Sequence, residues 1–210
     1  MIRILVADDH AVVREGLKRI IAATTDMMVA GEAVNGQQVL DLVGSGSWDV
    51  VLLDISMPGR GGLDVLRQLK AEHPRLPVLV LSMYSEDQYA VRVLKAGGAG
   101  YLTKDSAPEE LVNAVRRVIR GRKYIGPATA ERLAVDLDLD FQEAPHEALS
   151  DREYQVLCLL GSGKTVSEIA DRLALSVKTI STYRTSILEK MKMNTTAELI
   201  RYAIRHNLVE

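Results

Sequence analysis

Residues 2–16 read IRILVADDHAVVREG. An apolar run, Ile4-Leu5-Val6-Ala7, stops at two adjacent carboxylates, Asp8 and Asp9, and an amphipathic pattern starts directly behind them. A continuous apolar run fits a strand covered on both faces, as in a parallel sheet. Two like charges about 4 Å apart repel by roughly 4 kcal/mol at an effective dielectric near 20. The pair must therefore face water or meet a cation.

The same alternation continues. Val50-Val51-Leu52-Leu53 and Val78-Leu79-Val80-Leu81 are two more apolar runs, Met28-Val29-Ala30 is a weaker one, and Tyr101-Leu102 is a fifth. Between them lie helical stretches. Val13, Leu17, Ile20 and Ile21 share a stripe, as do Leu63, Leu66 and Leu69. EDQYAVRVLKAGG stops at Gly97-Gly98, and PEELVNAVRRVIRG opens on a proline and closes on a glycine. Five strands alternating with five helices predict an α/β fold, a doubly wound five-stranded parallel sheet.

In such sheets ligands bind beyond the carboxyl ends of the strands. The first strand ends in Asp8-Asp9, the third in Asp54, the fourth in Ser82 and the fifth in Lys104. Three carboxylates on one edge call for a divalent cation, and an all-oxygen set suits Mg²⁺ or Mn²⁺. An ammonium beside it suits a phosphoryl oxygen. Asp54, ending the central strand, is the best-placed nucleophile for an acyl phosphate. Asp9, Asp8 and the backbone carbonyl of Ser56 are the candidate metal ligands beside it. Taken singly, Asp8-Asp9 reads as a helix cap and Asp54 as part of a turn; their joint occurrence at successive strand ends carries the site.

The chain of 210 residues has a formal net charge of −2. The charge is uneven: residues 1–121 carry −1, residues 122–147 carry −3 and residues 148–210 carry +2. Residues 1–121 form one expected domain. Residues 122–147, acidic, with two prolines and no sustained apolar face, read as a linker with one short helix around Thr129 to Val135. Residues 148–210 form a second, small all-α domain. There Ser150 and Glu153 make a capping box, and short helices follow one another across turns of a few residues, the helix-turn-helix pattern. The one cysteine, Cys158, excludes an intrachain disulfide and reads as a buried hydrophobe. No apolar run is long enough to span a membrane, and the start of the chain is no signal peptide, so a cytoplasmic location without a membrane partner is expected. His10, His73, His146 and His206 show no ligand spacing. LLGSGKTVSE mimics a nucleotide P-loop, but Cys158 stands where the first glycine is needed and the stretch follows a helix, so it reads as a helix stop and a turn.

With Asp8-Asp9, Asp54, Met57-Pro58-Gly59, Gly62, Ser82, Tyr101 and Lys104 in place, residues of about 1–120 resemble a response-regulator receiver domain. The resemblance implies phosphorylation of Asp54 by a sensor histidine kinase, with Lys104 and Ser82 assisting. It also implies a switch in which Ser82 closes on the phosphate, Tyr101 turns inward and the surface of helix 4, strand 5 and helix 5 changes. Ser56 and Tyr84 flank the pocket. Asp105 stands where many receivers have proline.

The tail from about Leu149 to Val209, LSDREYQVLCLLGSGKT, SEIADRLALSVKTISTYRTSILEKM and AELIRYAIRHNLV, resembles the LuxR-type helix-turn-helix of NarL/FixJ-class response regulators. Ile180, Ile187, Leu188 and Met191 supply the core face of a recognition helix. The resemblance turns Ser181, Thr182 and Thr185 toward base edges of double-stranded DNA and Lys178, Arg184 and Lys190 toward phosphates. It also implies a homodimer on paired half-sites, with Leu199 and Ala203 of the last helix as candidate contacts. Tyr183 stands where the class often has histidine, and Val166-Ser167 where many members have Asn-Lys; both leave the DNA sequence open.

The combined reading is a phosphorylation-controlled transcriptional regulator, not an enzyme apart from self-catalysed phosphotransfer and dephosphorylation at Asp54. Two alternatives stand beside it. One is a phospho-independent DNA-binding regulator whose first domain only mediates protein contacts; the other is a Mg-dependent phosphoaspartyl phosphatase, against which Asp-Asp-His replaces the expected Asp-x-Asp.

Overall fold

The computed structural model describes residues 1–57, 59–84, 86–126, 144–206 and 208–209. The chain divides into two compact units, Met1–Ala134 and Val135–Glu210. Pro58 and the expected short helix around 129–135 lie outside the described residues.

The first unit runs β1 (Ile2–Ala7), α1 (Ala11–Ala22), β2 (Met27–Ala33), α2 (Gly36–Ser45), β3 (Val50–Asp54), α3 (Gly62–Glu72), β4 (Val78–Ser82), α4 (Glu86–Lys95), β5 (Gly100–Thr103) and α5 (Pro108–Val118). All strand pairs are parallel, in the order β2-β1-β3-β4-β5. β1, β3 and β4 explain their unbroken apolar runs: helices cover both faces. Ile4, Val6, Val50, Leu52, Leu79 and Leu81 pack with Leu17 and Ile21 of α1 and with Leu111, Val115 and Val118 of α5. The pleat turns Leu5, Val51, Leu53 and Val80 to the other face, and these are fully buried too.

The sequence pattern under-reads two elements. β2 is seven residues long rather than three, because its outer positions, Met28 to Glu32, are only partly covered at the sheet edge. α2, which the apolar runs do not single out, starts from Asn35, whose Oδ1 accepts from Gln38 N at 3.0 Å. Its buried stripe is only Val39 and Val43, flanked by glutamines and glycines.

The two ends of the expected linker each lie on their own unit. Tyr124 bridges to Gly100 on the β5 edge, its N–H donating to Ala99 O at 2.9 Å and its hydroxyl to Glu110 Oε1 at 2.6 Å. Pro145–Ala148 forms a 3-10 turn in the second unit.

The second unit continues with α6 (Asp151–Gly161), α7 (Val166–Arg172), α8 (Val177–Met191) and α9 (Thr196–Arg205). Capping boxes start three of them: Ser150 with Glu153, Thr165 with Glu168, and Thr195 with Glu198. α7 and α8 form the helix-turn-helix. The P-loop mimic is what its context predicts, a turn after α6, with Gly163 at φ +77° and Lys164 N donating to Leu159 O. Cys158 is buried among Leu157, Leu159 and Leu160.

Candidate functional site

The strand order reverses between β1 and β3, and their carboxyl ends carry Asp8 and Asp54 there. Both carboxylates are buried, each about 1% exposed. Lys104, just beyond β5, reaches across to both: its Nζ lies 2.7 Å from Asp54 Oδ2 and 2.7 Å from Asp8 Oδ2. The other carboxylate oxygens hold the backbone. Asp54 Oδ1 accepts from Ser56 N at 2.8 Å, and Asp8 Oδ1 accepts from His10 N at 2.8 Å. α3 presses on the strand end: a Cβ at Gly62 would stand 2.3 Å from Ile55 Cα and 2.8 Å from Asp54 O.

Burial pushes the Asp54 carboxyl above its ordinary range, and the Lys104 ammonium offsets part of that rise. For Lys104, burial would lower the pKa, but Asp54 and Asp8 outweigh it and the ammonium is held on more firmly than usual. A buried carboxylate held beside a fixed ammonium at a strand end is a functional-site candidate on physical grounds.

The question raised by the paired aspartates has a geometric answer. Asp8, Asp9 and Asp54 bring ligand atoms, together with one from His10, within 4.8 Å of one another. Against one ammonium, three carboxylates leave two negative charges, the charge of one divalent ion. Asp9 Oδ1, shielded from water, has His10 Nδ1 3.0 Å away but no well-aligned hydrogen bond among the described residues. The donor set fits a hard divalent cation.

Two neighbours were not legible as site residues. His10, read as unrelated to any site, sits with its Nδ1 3.0 Å from Asp9 Oδ1 and 3.3 Å from Asp8 Oδ1; its only sequence signal is adjacency. Arg14 donates through Nη1 to Asp8 O at 2.8 Å and through Nε to Glu32 Oε2 at 3.0 Å. It thereby ties the Asp8-Asp9 turn to the end of β2.

Ser82 is fully buried at the end of β4, its Oγ accepting from Tyr84 N at 3.2 Å. Tyr101 occupies the inward position. It is 2% exposed, and its hydroxyl donates to Tyr84 O at 2.8 Å. Tyr84 in turn stacks on Tyr89 of α4, ring centroids 4.8 Å apart. Ser82, Tyr84, Tyr89 and Tyr101 thus link the pocket to α4 and β5.

In the second unit, α8 turns Ile180, Ile187 and Met191 inward. Lys178, Thr182 and Thr185 are exposed, and Ser181 and Arg184 are half-buried. The Thr182 and Thr185 hydroxyls donate to Lys178 O and Ser181 O at 3.0 and 3.1 Å. With their protons used inside the helix, they present acceptor lone pairs and methyl groups outward. Arg184 Nε is buried and without a partner among the described residues.

Lys190, expected at a phosphate, pairs with the buried Glu153, Nζ to Oε2 at 2.7 Å, while its side chain stays 41% exposed. One expectation is corrected. Leu199 and Ala203, expected at a dimer contact, are fully buried. They form the stripe of α9 that packs on α6, where a Cβ at Gly161 would stand 2.7 Å from Ala203 Cβ. Ile204, 55% exposed, is the outward apolar residue of that helix.

Comparison with known proteins agrees with both halves. Residues 4–116 match the response regulator receiver domain, and residues 147–203 match the bacterial regulatory proteins of the luxR family. The response regulator GacA of Pseudomonas aeruginosa is 39% identical over 211 residues, spanning 100% of this chain and 99% of that protein. The response regulator UvrY of Escherichia coli K12 is 37% identical over 209 residues, spanning 99% of this chain and 96% of that protein. RcsB from Salmonella enterica serovar Typhimurium, solved bound to promoter rprA in the presence of the phosphomimetic BeF3-, aligns with a TM-score of 0.63 at 26% identity, over 96% of this chain and 98% of that one. No helix among the described residues is long and apolar enough to cross a membrane.

Proposed function

We infer the working of the molecule from one premise: the chain belongs to the two-component response regulators of the NarL/FixJ class, a receiver followed by a LuxR-type helix-turn-helix. It is a phosphorylation-dependent DNA-binding transcription regulator and not a classical enzyme. The receiver implies a histidine kinase as partner.

The finer assignments are our proposal. Residues 1–121 are the receiver, 122–147 the linker and 148–210 the DNA-binding domain. Asp54 accepts the phosphoryl group. Its carboxylate oxygen forms the P–O bond as the P–N bond to the kinase histidine breaks, and the electron pair returns to the imidazole. Asp8, Asp9, Asp54 and the Ser56 carbonyl hold Mg²⁺ or Mn²⁺, which supplies positive charge against the phosphoryl oxygens. Lys104, already paired with Asp54, moves its contact to a phosphoryl oxygen and stabilises charge in line with the attack. Ser82 donates its hydroxyl to the phosphate, and Tyr101, hydrogen-bonded to Tyr84 O, couples that closure to the surface of α4 and β5. Within the one pocket the chain catalyses both this transfer and the later hydrolysis, in which water forms the new P–O bond, the bond to the Asp54 oxygen breaks, and inorganic phosphate leaves.

For the second domain, Lys178 and Arg184 meet phosphates and Ser181, Thr182 and Thr185 face base edges. RcsB has been solved as two dimers bound to two parallel DNAs, which supports a homodimer on promoter half-sites. Such a protein acts where bacterial DNA lies, in the cytoplasm.

The observation that carries this reading is the buried Asp54 carboxylate at the end of β3, flanked by Lys104 and the Asp8-Asp9 pair. Its test is intact mass after incubation with Mg²⁺ and acetyl phosphate, with Asp54→Ala in parallel. One phosphoryl gain that is absent in the variant and lost at alkaline pH is expected, together with tighter DNA binding. A gain that persists in Asp54→Ala sinks the assignment.

A further inference from the structure

The three capping boxes of the second unit are not equivalent. Among the described residues Glu168 hydrogen-bonds only its own cap, through Thr165 N at 2.7 Å and Thr165 Oγ1 at 2.9 Å. Glu198 likewise accepts from Asn194 N and Thr195 N. Glu153 does more. Its Oε2 accepts from Ser150 N at 2.7 Å, closing the cap of α6. The same carboxylate accepts from two residues one turn apart on α8: Ser186 Oγ at 2.6 Å on Oε1 and Lys190 Nζ at 2.7 Å on Oε2. Glu168 is exposed, whereas Glu153 is 4% exposed.

A cap needs no such burial. Taking a carboxylate out of water is unfavourable unless several donors meet it, and here the extra donors all come from the recognition helix. Ser186 and Lys190 share one face of α8, four residues apart. Fixing both to one carboxylate fixes the rotation of α8 about its own axis relative to α6. The exposed face one turn and more before them, Lys178, Ser181, Thr182 and Thr185, is then aimed by the same tie. The short hydroxyl side chains there have little reach, so a base contact depends on helix azimuth more than it would for arginine.

We propose that Glu153 is a positioning residue for DNA recognition: it couples the α6 cap to Ser186 and Lys190 and so sets the angle at which α8 presents its base-reading face. Lys190 then serves as the counter-ion of Glu153 and not as a phosphate contact. The proposal rests on the DNA-binding reading above.

The test uses the full chain, wild type against Glu153→Gln, with Glu168→Gln as the cap control, since glutamine still serves at this position of a capping box. The first readout needs no DNA. Amide exchange in Glu153→Gln should quicken about tenfold more over α8 than over α7 and α9, which share only the loss of the unit's global stability. The second is affinity for a duplex that the phosphorylated wild type selects from a random pool, against a scrambled duplex. Loss of one aligned base contact predicts about a tenfold drop in specific affinity with scrambled-DNA affinity kept. In Lys190→Met the salt slope of binding should be unchanged; a fall of about 0.9 would make Lys190 a phosphate contact and overturn the assignment. Equal effects of Glu168→Gln, or faster exchange without loss of discrimination, also overturn it. If the wild type selects no duplex at all, the DNA-binding reading fails, and unchanged α8 exchange would independently refute the tie.

Discussion

Lys104 Nζ stands 2.7 Å from Asp54 Oδ2, a contact spanning fifty residues of sequence and three strand ends. The same ammonium is 2.7 Å from Asp8 Oδ2. It is therefore the one positive charge among the described residues that holds two buried carboxylates together. Lys104→Met should leave them uncompensated and cost the first unit about 3–5 kcal/mol, the range for breaking a buried pair from one side. Trp48, the single tryptophan, lies in this unit, so its fluorescence in urea reports the loss. Adding Asp54→Asn should return part of it by removing one of the like charges. A double variant no more stable than Lys104→Met would show that the repulsion is not what matters.

Gly62 works at the same place through packing. With a Cβ 2.3 Å from Ile55 Cα, Gly62→Ala must push α3 away from the end of β3. Overpacking of this kind costs about 1–3 kcal/mol, and the displaced carboxylate should take up phosphate more slowly from acetyl phosphate. Urea denaturation and the initial rate of mass gain check both parts. Unchanged values for both would mean that α3 does not brace Asp54.

Glu153 makes the second unit acid-sensitive. Burial alone would raise its pKa, but Lys190, Ser186 and the Ser150 cap outweigh burial and pull it down to about 2 from 4.5. A pKa depressed in the folded state gives stability that is complete above the unfolded value and lost as pH falls toward the folded one. Between pH 4.5 and 2 the loss is about 3 kcal/mol, with about 2 kcal/mol gone by pH 3. Circular dichroism in urea follows the unit that Trp48 does not report. The stability gap between wild type and Glu153→Gln should narrow across that window; a constant gap would refute the linkage.

Much of this site was legible because each of its parts ends an apolar run. Asp54 and Ser82 end β3 and β4, Asp8 and Lys104 follow β1 and β5 directly, and a parallel sheet can only gather such ends on one edge. His10 and Arg14 were not legible, since their contacts depend on how the turn after β1 folds back, which no periodicity encodes. Leu199 and Ala203 show the opposite limit. Their spacing of four marks an apolar stripe, but a stripe carries no record of whether it packs on its own unit or on another copy. Glu153 was read as a cap and is one; that it also reaches α8 is a tertiary fact. Element and strand-end chemistry are local, whereas partner choice is not.

The turn between α7 and α8 carries a local strain that can be removed. Ala174 sits at φ +52°, following the last turn of α7, with Leu175 N donating to Ala170 O at 2.9 Å. A left-handed residue with a Cβ costs roughly 1–2 kcal/mol, and glycine gives back part of any gain through its looser unfolded chain. Ala174→Gly should stabilise the second unit by about 1 kcal/mol with DNA binding unchanged. Urea denaturation followed by circular dichroism decides it, and a destabilised variant would mean that the alanine methyl contributes packing of its own.

The two faces of α9 separate folding from assembly. Leu199 is fully buried, so Leu199→Ala should cost the second unit about 2–5 kcal/mol by the usual large-to-small penalty. Ile204 is 55% exposed on the same helix, so Ile204→Glu should leave folding within about 0.5 kcal/mol of wild type. If copies pair through this helix, the outward residue must carry the contact, because the inward stripe is already occupied by α6. Sedimentation of the phosphorylated chain on DNA should then show Ile204→Glu as a weaker dimer with normal stability. A dimer untouched by Ile204→Glu would move the pairing surface off α9 and onto the receiver.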